Sequence, residues 1–292
     1  MKHLYILFFL FGAIACNQST TQVENQDVPA KDWKIVSLKG AYSELLCEFD
    51  LCDKILATDV TSLFPEQVKA LPKVGHIRNV SVEGMLAFEP NCIVADPNDM
   101  KPETLEQLKA MDIDLVLVEQ DYSIEGSKKL IQDMANAFEA DDSNVQSLIS
   151  NIDEELSKVQ IIENAPKVLF IYARGAGTLM VAGENTQLEN IIELAGGQNA
   201  ASGFEEFKPL TAESLIAFNP DVILMFESGM NSMEGWDGIL ALPGVAETTA
   251  GKDKNFIAMD GAFLSNFGPR IGQAIVQLNQ ALIDNQIKLA EE

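Results

Sequence analysis

The chain has 292 residues and a net charge of −24, with 20 basic against 44 acidic side chains. This charge argues against nucleic-acid binding, because phosphate neutralisation needs clusters of lysine and arginine. It also argues against a body that lies flat on anionic lipid. Beyond residue 32, about 260 residues remain, which is enough for two lobes of ordinary domain size.

Residues 1–15 predict a signal peptide: Lys2 precedes an apolar run, and small residues follow at 12–15. The segment is too short to span a bilayer as a mature helix. Its Ala-Ile-Ala-Cys ending resembles a bacterial lipobox, in which the cysteine becomes the acylated N-terminus, so Cys16 is the expected lipid anchor. An ordinary secretory signal with a chance cysteine is the alternative.

Residues 16–32 are polar, small and turn-forming, and they predict a flexible tether that follows the lipidated residue. No later segment is long and apolar enough to span a membrane. The remainder is therefore expected to be periplasmic, or more generally extracytoplasmic, and anchored to a bacterial membrane.

An N-terminal lobe is predicted over residues 33–140, where short apolar strands alternate with segments of helical period. The predicted strands are Lys34–Leu38, Lys54–Thr58, Cys92–Ala95 and Leu115–Val118. The predicted helices lie around Tyr42–Phe49, Glu83–Phe88, Pro102–Met111 and Gly126–Phe138.

A single interlobe helix is predicted over residues 141–164, because Asp141–Glu163 has no glycine or proline and carries one apolar stripe. A C-terminal lobe follows over 165–292. Its predicted elements are Lys167–Tyr172, Gln187–Ala195, Thr211–Phe218, Asp221–Phe226, Asn255–Met259 and a helix around Ile271–Ile283. The alternation predicts an α/β fold of two Rossmann-like lobes with parallel sheets.

An internal repeat supports two related lobes. Residues 81–94 (SVEGMLAFEPNCIV) return as residues 211–224 (TAESLIAFNPDVIL), at a constant offset of 130. Each copy predicts a short helix with a hydroxyl cap and then a strand led by proline.

The sequence alone does not decide whether two of the cysteines form a disulfide. An oxidising compartment permits a disulfide between Cys47 and Cys52, but on one continuous helix the two side chains would point to different faces. That bond is left open. Cys92 is interpreted as a small core residue, and a cysteine–histidine zinc site is not expected.

Several blocks of the sequence resemble the haemin-binding (HmuT-type) solute-binding proteins, within the superfamily that serves importers of haem, siderophores and cobalamin. The more specific blocks are LPKVGHIR at 71–78 and FKPLTAE at 207–213, and the resemblance covers nearly all of residues 33–285. It implies the class III periplasmic-binding-protein architecture, with a rigid interlobe helix. It also implies haem b as the transported ligand, and an ABC permease dimer with its ATPase as partner of a monomeric, non-enzymatic binder.

His76 is the expected iron ligand, as the only histidine beyond residue 3. It stands in a glycine-containing loop where the resembling family usually presents tyrosine, and neutral imidazole is a normal haem ligand. The three arginines, Arg78, Arg174 and Arg270, lie beside glycines in loops, where guanidinium groups would suit the haem propionates. Structural roles in these loops are the alternative.

Further pocket residues are expected in the C-terminal lobe. Phe207 would stack on the porphyrin and Lys208 would lie beside it, while Tyr172 would lie in the pocket or face the core. Met180 and Met230 are considered as soft iron ligands or as packing residues.

Glu83 and Glu213 occupy equivalent repeat positions. In the resembling family such a pair contacts permease arginines, and a helix-capping role is the alternative. A ferric siderophore or a corrinoid is the alternative ligand. A passive haem store and an enzyme are further alternatives, but no dinucleotide or P-loop fingerprint supports an enzyme.

Overall fold

A computed structural model describes residues 31–175 and 177–291, with side chains described as far as residue 285. The predicted signal peptide and the lipidation site at Cys16 lie outside the described residues, as does nearly all of the tether. Within the described ranges, no helix combines the length and the apolar character needed to cross a membrane.

The first sheet is built from four parallel strands in the spatial order β2-β1-β3-β4. The strands are β1 Ile35–Ser37, β2 Ile55–Thr58, β3 Cys92–Ala95 and β4 Asp114–Leu117. The helices of this half are α1 Gly40–Glu48, α2 Glu66–Lys69, α3 Val82–Leu86, α4 Pro102–Lys109 and α5 Ile124–Phe138, with short 3-10 turns at Cys52–Lys54 and Ile77–Asn79. All four predicted strands and all four predicted helices are confirmed to within a few residues, and Cys92 is fully buried in β3.

The second sheet has six strands, with the main order β10-β9-β5-β6-β8 and with β7 added to β5. They are β5 Lys167–Ala173, β6 Leu179–Ala182, β7 Gln198–Asn199, β8 Phe207–Pro209, β9 Val222–Phe226 and β10 Phe256–Met259. The helices after α5 are α6 Asp142–Leu156, α7 Gln187–Leu194, α8 Ala212–Phe218, α9 Glu227–Ser232, α10 Trp236–Leu240, α11 Thr249–Lys252, α12 Gly261–Ser265 and α13 Ile271–Glu291.

The prediction of a wholly parallel second sheet is wrong. Strands β5 and β6 pair antiparallel, as do β6 and β8, whereas β10, β9 and β5 run parallel. The reason is the short turn after β5, since only an antiparallel neighbour can follow a connection of a few residues and a parallel strand needs a long crossover.

The predicted interlobe helix is shorter than its sequence pattern suggests. Helix α6 ends at Leu156, and the chain beyond it is drawn onto α13. There the Asn279 side chain accepts a hydrogen bond from the Gln160 N–H at 3.0 Å and donates to the Gln160 carbonyl at 2.9 Å. The backbone N–H and carbonyl of Gln160 are thus paired with a side chain of α13, and they are not available for hydrogen bonds that would continue α6. Before that point the stripe is buried as predicted, at Val145, Leu148 and Ile152.

Cys47 and Cys52 form a disulfide, with their Cα atoms 4.1 Å apart. The objection that one helix would separate them fails, because α1 ends at Glu48 and the chain reverses through Asp50, whose φ is +59°. Cys52 then begins a separate 3-10 turn, which brings its side chain back to the end of α1.

Candidate functional site

A cavity of about 680 Å³ lies between the two sheets. This volume is within the range of roughly 300–1,000 Å³ that is usual for small-molecule sites. On the first-sheet side, its walls come from the segments that follow all four strands, as expected for ligand sites of open α/β sheets. These wall residues are Leu38, Lys39, Asp59, Thr61, Asp99, Gln120 and Tyr122, together with 76–78.

On the second-sheet side, the wall is formed by β5, which the sequence predicted, and by the antiparallel strands β6 and β8, which it did not predict. Tyr172 of β5, Met180 of β6 and Phe207 of β8 all line the cavity, with 185–187 and Glu206 beside them. Met180 pairs with Tyr172 across the β5–β6 ladder, which places the two side chains next to each other. Residues 265 and 266, at the end of α12, complete this wall.

The loop that carries His76 is tied to the end of β2. The Lys73 ammonium donates to the hydroxyl of Thr58 at 2.7 Å and to the carbonyls of Ser62 at 2.7 Å and Val68 at 3.1 Å. Burial lowers the pKa of Lys73, and nearby Asp59 opposes that effect. Gly75 turns the chain with a φ of +106°, a conformation open to glycine at little cost.

The imidazole of His76 lines the cavity and is exposed. Its Nδ1 accepts a hydrogen bond from the Arg78 backbone N–H at 3.2 Å. A nitrogen that accepts this bond carries no proton, so the neutral ring holds its proton on Nε2. Binding of iron at Nε2 would therefore require the proton to move to Nδ1 and this hydrogen bond to break.

The structure divides the predicted pocket residues into two groups. His76, Arg78, Tyr172 and Phe207 line the cavity. Outside its wall lie the three others, Arg174, Lys208 and Arg270. Of the methionines considered, Met180 lines the cavity, and Met230 lies outside the wall in α9.

Each residue outside the wall has a local explanation. Arg174 is exposed in the turn after β5, where its backbone N–H donates to the Thr178 carbonyl at 3.0 Å. The Lys208 ammonium lies 4.6 Å from the centre of the Phe204 ring. Strand alternation explains this placement, since Phe207 and Lys208 are neighbours in β8 and point to opposite faces.

Arg270, at the residue before α13, binds Glu44 of α1, which lies 226 residues away in sequence. Its guanidinium binds the Glu44 carboxylate through Nε to Oε1 at 2.5 Å and Nη2 to Oε2 at 3.0 Å, and it lies 3.6 Å from the centre of the Phe64 ring. Burial raises the pKa of Glu44, and Arg270 counteracts that rise. Arg270, which was predicted to bind a propionate, is thus already paired with a carboxylate. Its position agrees with the alternative prediction, a structural role.

Sequence reasoning missed Lys39 and its two carboxylates. The Lys39 ammonium lies 2.9 Å from both Asp96 Oδ2 and Asp99 Oδ2, and 5.3 Å from the centre of the Tyr122 ring. These residues follow β1, β3 and β4, so the rule that places ligand sites at strand ends could have found them. It was applied only to the arginines.

The charge of the cavity wall is nearly balanced. Two cations, Lys39 and Arg78, face three carboxylates, Asp59, Asp99 and Glu206. Both Asp59 oxygens accept hydroxyl hydrogen bonds, from Thr61 at 2.6 Å and Ser62 at 2.7 Å, so this carboxylate is held in place by neutral groups. The wall is therefore not strongly positive, and an anionic ligand depends on the guanidinium of Arg78 for neutralisation of its charge.

Glu83 and Glu213 are exposed in the first turns of α3 and α8, at equivalent places in the repeat. The alternative capping role is wrong, because Ser81 caps Gly84 and Thr211 forms a capping box with Ser214. The carboxylates are thus not needed for the helix caps.

Comparison with known proteins identifies the family of this chain and several similar proteins. Residues 35–262 match the periplasmic binding protein family. The solved periplasmic heme-binding protein RhuT from Roseiflexus sp. RS-1 is 35% identical, with a TM-score of 0.81 over 87% of this chain and 99% of that one. YvrC, an uncharacterised ABC transporter substrate-binding lipoprotein of Bacillus subtilis, is 25% identical over 90% of this chain and 85% of its own. The vitamin B12-binding protein of Vibrio vulnificus is 25% identical over 95% and 96%.

Proposed function

Because the chain belongs to the periplasmic binding protein family, with the α/β architecture of its class III members, we propose that it binds haem outside the cytoplasm and delivers it to an ABC-transporter permease. The observation that supports the proposal is that two residues able to donate to iron line one cavity. The His76 imidazole comes from the first-sheet side and the Tyr172 phenol from the second. Both are normal protein ligands of haem iron.

The remaining wall suits a flat anionic macrocycle. Phe207 offers a ring for contact with a porphyrin face, and Arg78 offers a guanidinium for a propionate. In this proposal His76 would be the main protein ligand of the iron, and Tyr172 would be a second donor available in the same cavity. Arg174, Arg270 and Lys208 have no part in it.

Delivery is proposed to use Glu83 and Glu213 as contacts for permease arginines, one on each half of the molecule. Their exposure and their equivalence in the repeat support this role. Attachment through a lipid on Cys16 is proposed for the anchor, and the protein would act as a monomer with haem b as its cargo and without enzymatic activity.

A corrinoid is the second candidate ligand. Similarity to a vitamin B12-binding protein supports it, and so do the amide side chains of the cavity wall, at Gln120, Asn185, Gln187 and Asn266. Such groups would donate to and accept from the peripheral amides of a corrin ring.

Titration of the purified protein with haemin and, separately, with cyanocobalamin separates the two ligands. We expect haemin to give a Soret shift at one equivalent, and His76→Ala to change the position of that band. Arg78→Gln should weaken binding without moving the band, whereas Lys252→Gln removes a positive charge at an exposed position of α11 and should change neither. Absence of a Soret shift in the wild type would overturn the haem proposal.

Docking is tested by charge reversal. Glu83→Lys with Glu213→Lys should abolish haem uptake into vesicles that hold the permease and its ATPase, yet spare haemin binding. Glu103→Lys is the matched control, because Glu103 is also an exposed first-turn glutamate, in α4. Uptake that survives the double reversal would refute the docking role.

A further inference from the structure

Asp99 stands between the two cations of the cavity wall. Its Oδ2 lies 2.9 Å from the Lys39 ammonium, and its Oδ1 lies 3.8 Å from Arg78 Nη2. One carboxylate thus faces both positive groups that a ligand carboxylate could use, with one oxygen toward each.

Lys39 is already neutralised by a second acid. Asp96, whose side chain is only 4% exposed, binds the ammonium at 2.9 Å and also accepts from the backbone N–H groups of Asn98 at 3.0 Å and Gln120 at 3.2 Å. Although burial lowers the pKa of Lys39, Tyr122, Asp96 and Asp99 together raise it above its ordinary value, so the ammonium stays charged. One ammonium against two carboxylates leaves one negative charge over.

We propose that Asp99 is a resident counter-ion of Arg78 that sets the ligand specificity of the cavity. Its Oδ1 already lies near Arg78 Nη2, so a ligand carboxylate that approaches this nitrogen meets a like charge. A ligand with carboxylates has to compete with it, whereas an uncharged ligand of the same shape does not. This inference rests on the proposed function, since it concerns how the propionates of haem are received.

The contact between Arg78 and Asp99 is one that a ligand carboxylate can replace. At 3.8 Å, the Arg78–Asp99 contact is longer than a hydrogen bond, and the Arg78 side chain is 73% exposed. When Arg78 turns toward a ligand, Asp99 keeps its 2.9 Å contact with Lys39, so no buried charge is left alone. Exchange of one carboxylate for another at Arg78 therefore costs about threefold to fivefold in affinity, the size of a partly exposed ion pair.

The test compares haemin with haemin dimethyl ester, whose propionates carry no charge, in Soret titrations of the wild type and Asp99→Asn. Removal of the competing charge should tighten haemin binding by about threefold to fivefold, the size of a partly exposed ion pair. Affinity for the ester should stay the same. The gain should shrink in 1 M salt, where the screening length is about 3 Å.

Two further variants locate the effect. In an Arg78→Gln background, Asp99→Asn should bring no gain, because the shared partner is gone. Asp112→Asn removes the same charge at an exposed place after α4 and should leave both affinities unchanged. Asp99→Ser should reproduce the gain if the asparagine variant folds poorly, as judged by its circular dichroism.

The outcomes separate the two proposals. Haemin affinity that falls or stays equal in Asp99→Asn, or a gain that appears equally with the ester, overturns the counter-ion role and leaves haem binding standing. A wild type that binds neither porphyrin overturns both.

Discussion

Replacement of Arg270 by alanine removes its ion pair with Glu44 of α1, a contact between residues 226 apart in sequence. The Glu44 side chain is 2% exposed and would lose both of its guanidinium hydrogen bonds, at 2.5 and 3.0 Å. Burial already raises the pKa of Glu44, and Arg270 is the group that counteracts it. The variant therefore holds a buried carboxylate without its counter-ion.

The expected loss in the free energy of unfolding comes from the Glu44 carboxylate, which stays buried when Arg270 is removed. Removal of one partner of a buried ion pair costs about 3–5 kcal/mol, because the other charge stays buried and uncompensated. The Arg270 side chain is 23% exposed, so we take the lower end, about 3 kcal/mol. For a body of this size, that corresponds to a fall in Tm of roughly 6–12 °C.

The loss should depend on pH. Because burial raises the folded-state pKa of Glu44 above the ordinary value of 4.5, acidification protonates Glu44 in the folded variant before it does so in the unfolded chain. Proton uptake by the folded state then restores stability. The deficit of Arg270→Ala is thus largest at neutral pH, shrinks as the pH falls through the raised pKa, and stays constant below about 4.5.

Urea unfolding followed by tryptophan fluorescence, at neutral pH and at pH 5, measures both effects. Glu44→Gln combined with Arg270→Ala is the control, since it removes the buried charge and should recover most of the lost free energy of unfolding. A deficit below about 1 kcal/mol, or one that is equal at both pH values, would refute this account of the ion pair.

Three other changes test the fold. Cys47→Ser with Cys52→Ser opens a short loop and should lower the free energy of unfolding by about 2 kcal/mol in chemical denaturation, since the two cysteines are 5 residues apart; an unchanged midpoint would contradict it. Gly40→Ala would place a Cβ 2.5 Å from Asn266 Nδ2 and should lose about 1–3 kcal/mol by thermal melting, whereas Gly177→Ala meets nothing within 4 Å and should be near neutral. Thr211→Ala removes the cap of α8 and should cost about 1 kcal/mol with haemin affinity preserved; weaker haemin binding would argue against a purely structural cap.

Local pattern was enough to locate the four strands of the first sheet and four of the helices beside it, but it did not predict α2. The strands around Val36 and Ile93 are short apolar runs between polar turns, and such runs are buried in parallel sheets whatever their neighbours are. The repeat at 81–94 and 211–224 predicted two capped helices and two strands, and all four are confirmed. Each of these features depends on residues that are close in sequence.

The candidate site was predicted in part. His76, Arg78, Tyr172 and Phe207 were selected by their residue type and by resemblance, and the fold gathers them at one cavity. Arg270 was selected by the same reasoning and lies elsewhere. Its partner Glu44 is 226 residues away in sequence, and no local signal tells which cation a distant buried carboxylate will bind.

The sequence by itself determined the α/β class, the repeated halves and the residue chemistry available for a ligand, because periodicity and residue type are properties of short segments. The tertiary structure alone decided which charges meet. In the folded chain Asp99 lies between Lys39 and Arg78, and Arg270 forms an ion pair with Glu44. Helix α6 ends before Gln160, whose backbone binds Asn279. These outcomes depend on the relative positions of segments far apart in the chain, and those positions are set by tertiary packing, such as that of α13 on α6.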